Sequence, residues 1–345
     1  MKKVFVGMSG GVDSSLTAAL LIEQGYDVTG VYMKNWTQDL PGMKCPWADD
    51  LADAKRVAVQ LNIDLLVFDF QKEYKQKVVD YMIDEYKLGR TPNPDIMCNQ
   101  EVKFKLFLDL SLQKGADLIA TGHYAQNQNG KLLIAKDDVK DQTYFLYRIE
   151  SKALEKTIFP LGKYTKKEVR KMAEERNLYT ANKKDSVGIC FVGKIGIRDF
   201  LTQFVKEKPG DIIDKQTGKV IGSHDGALFY TIGQRHGLDV GGGLPYYVVG
   251  KDINKNEVYV STKLNSSELW LDNIKLINTH WINEKPVNGK YKIRVRHRAP
   301  LVDAELSISD NQTIIIPSEP QRAVTSGQSI VLYKSNQCLG GGIVA

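Results

Sequence analysis

The 345-residue sequence predicts an α/β protein: a doubly wound parallel sheet followed by two small mainly-β domains, the last of them a β-barrel. Three observations lead there. In the first half, short continuous apolar runs alternate with helical periodicity, as strands buried on both faces of a parallel sheet require. A turn rich in Gly and Ser joins the first of those strands to the first helix. After about Leu201, Gly, Pro and Asp become frequent and short alternating segments replace the helices. The divisions fall at residues 1–201, 202–267 and 268–345, in keeping with roughly 150 residues per domain.

The elements follow in order. Val4–Met8 is an apolar strand, and the helix Ser14–Gln24 after it is stopped by Gly25. Val28–Met33 is a second buried strand. Asp49–Leu61 has Ala, Leu and Val at helical spacing, and Asp64–Phe68 is a third strand. Two more helices, Gln71–Leu88 and Glu101–Lys114, precede the strand Asp117–Thr121. The last helix, Lys166–Arg176, opens with Thr165 and Glu168 in capping-box register. Beyond it, Tyr246–Lys251 and Glu257–Thr262 flank a polar five-residue loop and read as a hairpin. Lys290–Arg298, Thr313–Ile316 and Ser329–Tyr333 are barrel strands. Right-handed crossovers place a ligand crevice at the carboxyl ends of the parallel strands.

Composition narrows the class. The chain is 42% hydrophobic and 26% charged, ordinary for a globular protein, and its net charge of +6 permits an anionic partner without requiring one. No apolar run reaches the roughly 18–20 residues of a membrane span. The N-terminal apolar run is too short for a signal peptide, which points to the cytoplasm. Four scattered cysteines, none in Cys-x-x-Cys spacing, make neither a disulfide framework nor a zinc or iron–sulfur motif. No metal ligands are assigned.

The sharpest motif is Gly7-Met8-Ser9-Gly10-Gly11-Val12-Asp13-Ser14-Ser15, set directly between strand and helix. Paired glycines let backbone N–H groups turn inward as an anion nest, and the helix N-terminus adds free donors. The loop has neither the lysine of a γ-phosphoryl-transfer loop nor dinucleotide spacing. Cys98 follows Pro92 and Pro94 in a segment read as non-helical, just before a helix N-terminus that favours a thiolate. Asp95 there could relay a proton or oppose ionisation of the thiol. Cys190 follows Lys183 and Lys184, which would favour its thiolate. Cys45 also sits in a loop, so loop placement alone does not select a pair. Lys290, Lys292, Arg294, Arg296 and Arg298 alternate with apolar residues, so one strand face would carry all five cations toward a phosphate backbone. The helix with Lys166, Lys167, Arg170 and Lys171 is weaker evidence for the same surface, since it reads equally as an ordinary basic solvent face.

The Ser9–Ser14 stretch resembles the Ser-Gly-Gly-x-Asp-Ser pattern of the ATP pyrophosphatase (PP-loop) family. Together with Arg90–Cys98, Thr121–Tyr124, Lys140–Gln142, Tyr144–Tyr147, Lys183–Cys190 and Gly327–Ser329, it is similar to the tRNA-specific 2-thiouridylases over essentially the whole chain. The resemblance implies that ATP, with Mg²⁺, adenylates the 2-oxygen of the wobble uridine in tRNAs for Lys, Glu and Gln. Sulfur then replaces that oxygen. Cys190 would carry the persulfide, Cys98 would attack to leave a Cys98–Cys190 disulfide, and Asp95 would be the acid/base. Gly7–Ser14, Met33 and Gly122 would hold ATP. Asn93, Pro94 and Asp95 would surround the target base, with His123, Lys140, Asp141, Gln142, Arg296, His297 and Gln328 on the tRNA. His297 departs from the Arg-Tyr pair usual at its position. The implied partners are tRNA and a persulfide donor, either a cysteine desulfurase or a relay protein, with no membrane. The rival expectation is a PP-loop synthetase forming an amide on a small molecule, which needs neither a second cysteine nor a basic β-domain.

Overall fold

Strand β1 (Lys3–Gly7) is buried along almost its whole length because two layers of helices cover it. The structure, a computed structural model, describes residues 1–39, 41, 45–185, 196–238, 240–241, 243, 245–263, 269–310 and 312–345. After β1 come β2 (Asp27–Lys34), β3 (Leu65–Asp69) and β4 (Leu118–Ala120). A hairpin of β5 (Gln126–Gln128) and β6 (Lys131–Leu133) leaves the sheet, and β7 (Thr157–Ile158) returns to it. The order is β3-β2-β1-β4-β7, all parallel. Val4 and Val6 pack with Ala18 and Leu21 of α1 (Val12–Glu23) and Ala54 and Val57 of α2 (Trp47–Leu61). Phe5 and Ile119 pack on the other face with Phe68, Val78 and Phe107. The doubly wound expectation is therefore met. Its order reverses between β1 and β4, where such sheets open a crevice.

The helix expected over Gln71–Leu88 is present as α3 (Gln71–Tyr74), a π-helical stretch (Lys75–Asp80) and α4 (Tyr81–Lys87). The next one corrects the sequence reading. It starts not at Glu101 but at Pro94, running as α5 (Pro94–Met97), a π-helical stretch (Cys98–Leu106) and α6 (Phe107–Gln113). Pro94 is the first helical residue, where a missing N–H costs nothing and the fixed φ suits the helix. Asn93 caps it, its side-chain oxygen accepting from the N–H groups of Asp95 (3.1 Å) and Ile96 (3.4 Å). Further on lie α7 (Thr143–Leu146), α8 (Ser151–Glu155), α9 (Lys166–Glu175) and α10 (Ile197–Leu201). The capping box of Thr165 and Glu168 forms as expected.

The β-rich half begins with a four-stranded sheet of β8 (Gly210–Asp214), β9 (Val220–His224), β10 (Tyr247–Asp252) and β11 (Glu257–Ser261). β10 and β11 form the predicted hairpin. A short ladder pairs β12 (Trp270–Leu271) with β17 (Gln321–Arg322). The barrel strands are β13 (Ile274–Trp281), β14 (Gly289–Arg294), β15 (Val302–Ile308), β16 (Thr313–Pro317), β18 (Ser329–Lys334) and β19 (Gln337–Val344). Pairing of β13 with β19 closes the barrel around Ile274, Ile293, Leu306, Ile315, Ile330 and Leu332. β6 adds to β19 from outside, with Leu132 opposite Cys338.

One core joins the barrel to the α/β layer: Val331, Tyr333 and Cys338 pack with Phe107, Leu146 and Tyr147. The hydroxyls of Tyr144 and Tyr147 reach Ser329 at 2.9 and 3.0 Å, and the Thr91 N–H donates to the Ser326 carbonyl at 2.9 Å. A Cβ on Gly327 would lie 2.8 Å from the Thr91 nitrogen, so only glycine permits that approach.

The row of five cations does not form. β14 ends at Arg294, and the chain turns through Arg296–Ala299, with Arg298 at φ 63. Lys290 and Lys292 are exposed as expected. Arg294 shares their side of the strand, but the α/β layer covers that end, and its guanidinium lies 2.6 Å from the Asp141 carboxylate. Alternation along a strand fixes a side, not what covers it.

Candidate active site

The crevice at the β1/β4 reversal is built by backbone first. Gly10 adopts φ 72, and a Cβ there would sit 2.3 Å from the Asp50 carbonyl oxygen. Gly11 caps α1 in extended conformation without a side-chain partner, so the helix N-terminus points its N–H groups into the crevice. The Ser9 and Ser14 hydroxyls lie 3.2 Å apart, and Ser14 and Ser15 both donate to the Gly11 carbonyl (3.0 and 2.9 Å). Met33 reaches the loop from β2, its methyl 3.1 Å from where a Gly7 Cβ would stand. A Cβ on Gly122 would meet the Asp13 backbone at 2.9 Å, so Gly122 lets the segment after β4 pack against the loop.

The cleft beside the loop has a volume of about 280 Å³. Ser9, Gly11, Val12 and Asp13 form one wall, Tyr124, Lys140 and Gln142 another. Lys183, Lys184 and Asp185 with His297 and Arg298 of the barrel complete it. The Gln142 side-chain oxygen accepts from the Tyr124 N–H at 2.9 Å. Asp13 accepts from the Tyr124 hydroxyl (2.9 Å) and from the Lys166 ammonium (2.7 and 2.8 Å). Lys166 also pairs with Asp185, which Lys140 and Arg170 reach at 2.8 and 2.7 Å. Burial pushes the Asp185 carboxyl up, but hydrogen bonds from Lys140 and Lys166 outweigh it and bring the group down to about 2. Lys183 bridges Asp50 (2.8 Å) and Asp53 (2.7 Å). Of the basic residues of α9, Lys167 and Lys171 are exposed as a basic face requires, whereas Lys166 and Arg170 turn inward to the Asp13–Asp185 network. Nothing in the local sequence marks Lys166 as facing Asp13, 153 residues away.

A second cluster lies on the other side of Gly122. Cys98 is 5% exposed inside the helix, not in an open loop. Burial pushes its thiol up, Lys103 pulls it back, Asp95 raises it further, and a hydrogen bond with Tyr74 lowers it. Burial also raises the Asp95 carboxyl, against Lys103. The thiolate expected at that helix N-terminus is therefore not the resting state, because desolvation outweighs the pull of Lys103 and the start at Pro94 leaves Cys98 beyond the first turn. His123 sits between the Thr121 hydroxyl (2.8 Å) and Lys103 (3.4 Å), with Phe104 and Phe159 against its ring. Burial, then Lys103, hold it well below the usual histidine range, so it is neutral. The four residues Thr121–Tyr124 thus link the clusters: Gly122 touches Asp13, His123 touches Lys103, and the Tyr124 hydroxyl returns to Asp13.

The remaining candidates divide. Pro94 is buried and Asn93 half-buried, Asn93 capping the helix that carries Asp95 and Cys98. His297 lies 4.4 Å, ring to ring, from Phe145, and burial, then Arg298, bring it down to about 4. Arg296 is exposed and donates to the Arg322 carbonyl at 2.7 Å, and Gln328 is half-exposed. Asp141, placed on the tRNA by resemblance, is 1% exposed. Its carboxylate is taken up by Arg294, Thr143 and the Ala135 N–H, so it faces inward. Cys190 and residues 186–195 around it lie outside the described residues. Lys103 and Asp50 carried no signal in the sequence.

Comparison with known proteins follows this layout. Residues 2–194 match a family described as tRNA methyl transferase HUP domain, 198–262 its PRC-barrel domain, and 271–344 an aminomethyltransferase beta-barrel domain. The tRNA-specific 2-thiouridylase MnmA of Legionella pneumophila (strain Lens) is 49% identical over 99% of this chain and 98% of its own. That of Limosilactobacillus reuteri (strain DSM 20016) is 46% identical over 99% and 95%. A solved 4-thiouridine synthetase–RNA complex with bound ATP overlays 59% of this chain and 50% of its own at TM-score 0.40 and 20% identity, too partial to assign anything. At such identity over nearly its whole length, the chain belongs to the tRNA-specific 2-thiouridylase family.

Proposed function

We propose that the protein converts the wobble uridine of tRNA to 2-thiouridine, using ATP and a persulfide. One observation carries the reading. The anion loop of β1–α1 packs on Gly122, and the next residue, His123, reaches Lys103, the cation that acts on Asp95 and on the buried Cys98. The loop N–H groups, with the Ser9 and Ser14 hydroxyls, would cradle the phosphates, and Met33 and Gly122 would border the adenine. The 2-oxygen of uracil is a poor leaving group, and adenylation makes it a good one, so holding base and nucleotide together supplies much of the rate. Among the described residues no group of three His, Cys, Asp or Glu could hold a metal ion. Magnesium would enter as the companion of the triphosphate, with Asp13 the loop's own carboxylate.

The sulfur step then balances. The terminal sulfur of a Cys190 persulfide bonds to carbon 2. The Cys98 thiolate attacks the inner sulfur, forming the Cys98–Cys190 disulfide and breaking the persulfide bond, whose electron pair stays on the transferred sulfur. Collapse at carbon 2 expels AMP. Asp95 takes the Cys98 proton, Asn93 and Pro94 border the flipped base, and Lys140, Gln142, His297, Arg296 and Gln328 meet the tRNA. A cysteine desulfurase or a relay protein would load Cys190, and the reaction would take place in the cytoplasm. No helix among the described residues is long and apolar enough to cross a membrane. The test is incubation with ATP, a persulfide source and unmodified tRNA, followed by nucleoside analysis. 2-Thiouridine should appear in step with AMP and pyrophosphate, and AMP without it would leave the sulfur step unsupported.

A further inference from the structure

One cation in the second cluster has no part in the scheme above. Lys103 lies five residues beyond Cys98 in the π-helical stretch Cys98–Leu106. A π-helix bonds residue i to i+5, so residues five apart stack on one face, where α-helical winding would swing them apart. The π register, not the sequence spacing, therefore sets Lys103 alongside Cys98. Its ammonium is 3.4 Å from His123 Nε2. An ammonium can only donate, so Nε2 accepts, the ring proton is on Nδ1, and Nδ1–H donates to the Thr121 Oγ1 at 2.8 Å. Phe104 and Phe159 both pack against the ring, at centroid distances of 5.6 and 6.2 Å. The flanking cations Lys77 and Lys105 both pair with Glu101, whereas Lys103 is in no ion pair among the described residues. It is also the cation acting on Asp95, Cys98 and His123 alike. An oriented ammonium in no direct ion pair among the described residues, beside a buried thiol, is arranged for an anion that exists only during turnover.

We propose that Lys103, oriented by the Thr121–His123 relay, is the positioning residue that stabilises the Cys98 thiolate during sulfur transfer. When the Cys98 S–H bond breaks, the proton passes to an Asp95 carboxylate oxygen and the electron pair stays on sulfur, facing the ammonium. The inference rests on the sulfur-transfer reading, and its test separates the two. In the full chain, Lys103→Gln, Lys103→Met and Lys103→Arg are compared with wild type by two readouts. One is the single-turnover yield of 2-thiouridine relative to AMP. The other is the pH midpoint of Cys98 alkylation by iodoacetamide, read on the Cys98 peptide by mass spectrometry. Losing an oriented charge should slow 2-thiouridine formation about 10²- to 10³-fold, beyond any fall in AMP release. The alkylation midpoint should rise by about one pH unit or more, and Lys103→Arg should recover most of both. A neutral variant with the wild-type alkylation midpoint, or with the wild-type ratio of 2-thiouridine to AMP, overturns the proposal. Wild type making AMP but no 2-thiouridine would sink the sulfur-transfer reading, while the alkylation midpoint would still decide the pairing of lysine and thiol. Lys103→Met keeps the test open if Lys103→Gln fails to fold.

Discussion

Arg294→Met should destabilise the protein rather than weaken its grip on tRNA. The guanidinium and the Asp141 carboxylate are 2.6 Å apart, with side-chain exposures of 8% and 0%. Thr143 donates to the same carboxylate at 2.7 Å and the Ala135 N–H at 3.0 Å. These bonds remain when the arginine goes, but a buried negative charge is left without its counter-ion. Removing one partner of a buried pair costs about 3–5 kcal/mol. At roughly 2–4 °C per kcal/mol for domains of this size, the melting midpoint should fall by at least about 6 °C. Urea unfolding of wild type, Arg294→Met, Asp141→Leu and the double variant gives the coupling. The double variant should lose clearly less than the two single losses together, because it removes both charges. The slope of tRNA affinity against salt should not change. A variant within about 0.5 kcal/mol of wild type, or a salt slope lower by about one, would place this side chain on the solvent face and refute the buried pairing.

Three further outcomes are expected. Cys98→Ala and Cys190→Ala should each abolish 2-thiouridine formation while tRNA binding persists in a filter or gel-shift assay; full activity in either variant ends the two-thiol scheme. Gly10→Ala forces a side chain into φ 72, 2.3 Å from the Asp50 oxygen. The left-handed backbone alone costs about 1–2 kcal/mol, so ATP affinity by calorimetry should drop about tenfold or more, and unchanged affinity would mean the loop does not bind the nucleotide. Asp185 titrates at about 2 in the fold, because hydrogen bonds from Lys140 and Lys166 outweigh the burial that would raise it. Its folded value is depressed, so its stabilisation is present above the unfolded value of about 3.9 and is lost as pH falls toward 2. Acid unfolding should therefore show wild type losing its advantage over Asp185→Asn between about pH 4 and 2; an equal gap at pH 6 and pH 2 would contradict this.

Much was legible because it is local. The apolar run at Val4–Val6 reads as a strand buried on both faces, and it is. Thr165 and Glu168, three apart, cap their helix from within one turn. Gly10 and Gly11 announce a loop that needs glycine geometry. The start of the Cys98 helix is local too, yet it differs from the sequence reading: Pro94 reads as a breaker, whereas behind the Asn93 cap it is a first-turn residue. For Arg294, Lys166 and Asp141 the missing quantity is a neighbour distant in sequence.

Chain chemistry alone determined the elements, the anion loop and, through resemblance, the reaction, because backbone preference and periodicity are set by residues within a few positions of one another. The fold alone decided that Arg294 meets Asp141 instead of a phosphate, that Lys166 turns to Asp13, and that Cys98 is a buried thiol beside Lys103. A side chain's charge state and role depend on the dielectric and partners around it. Those come from segments more than a hundred residues away at Arg294 and Lys166, and from burial and a π register at Cys98, none of which local spacing encodes.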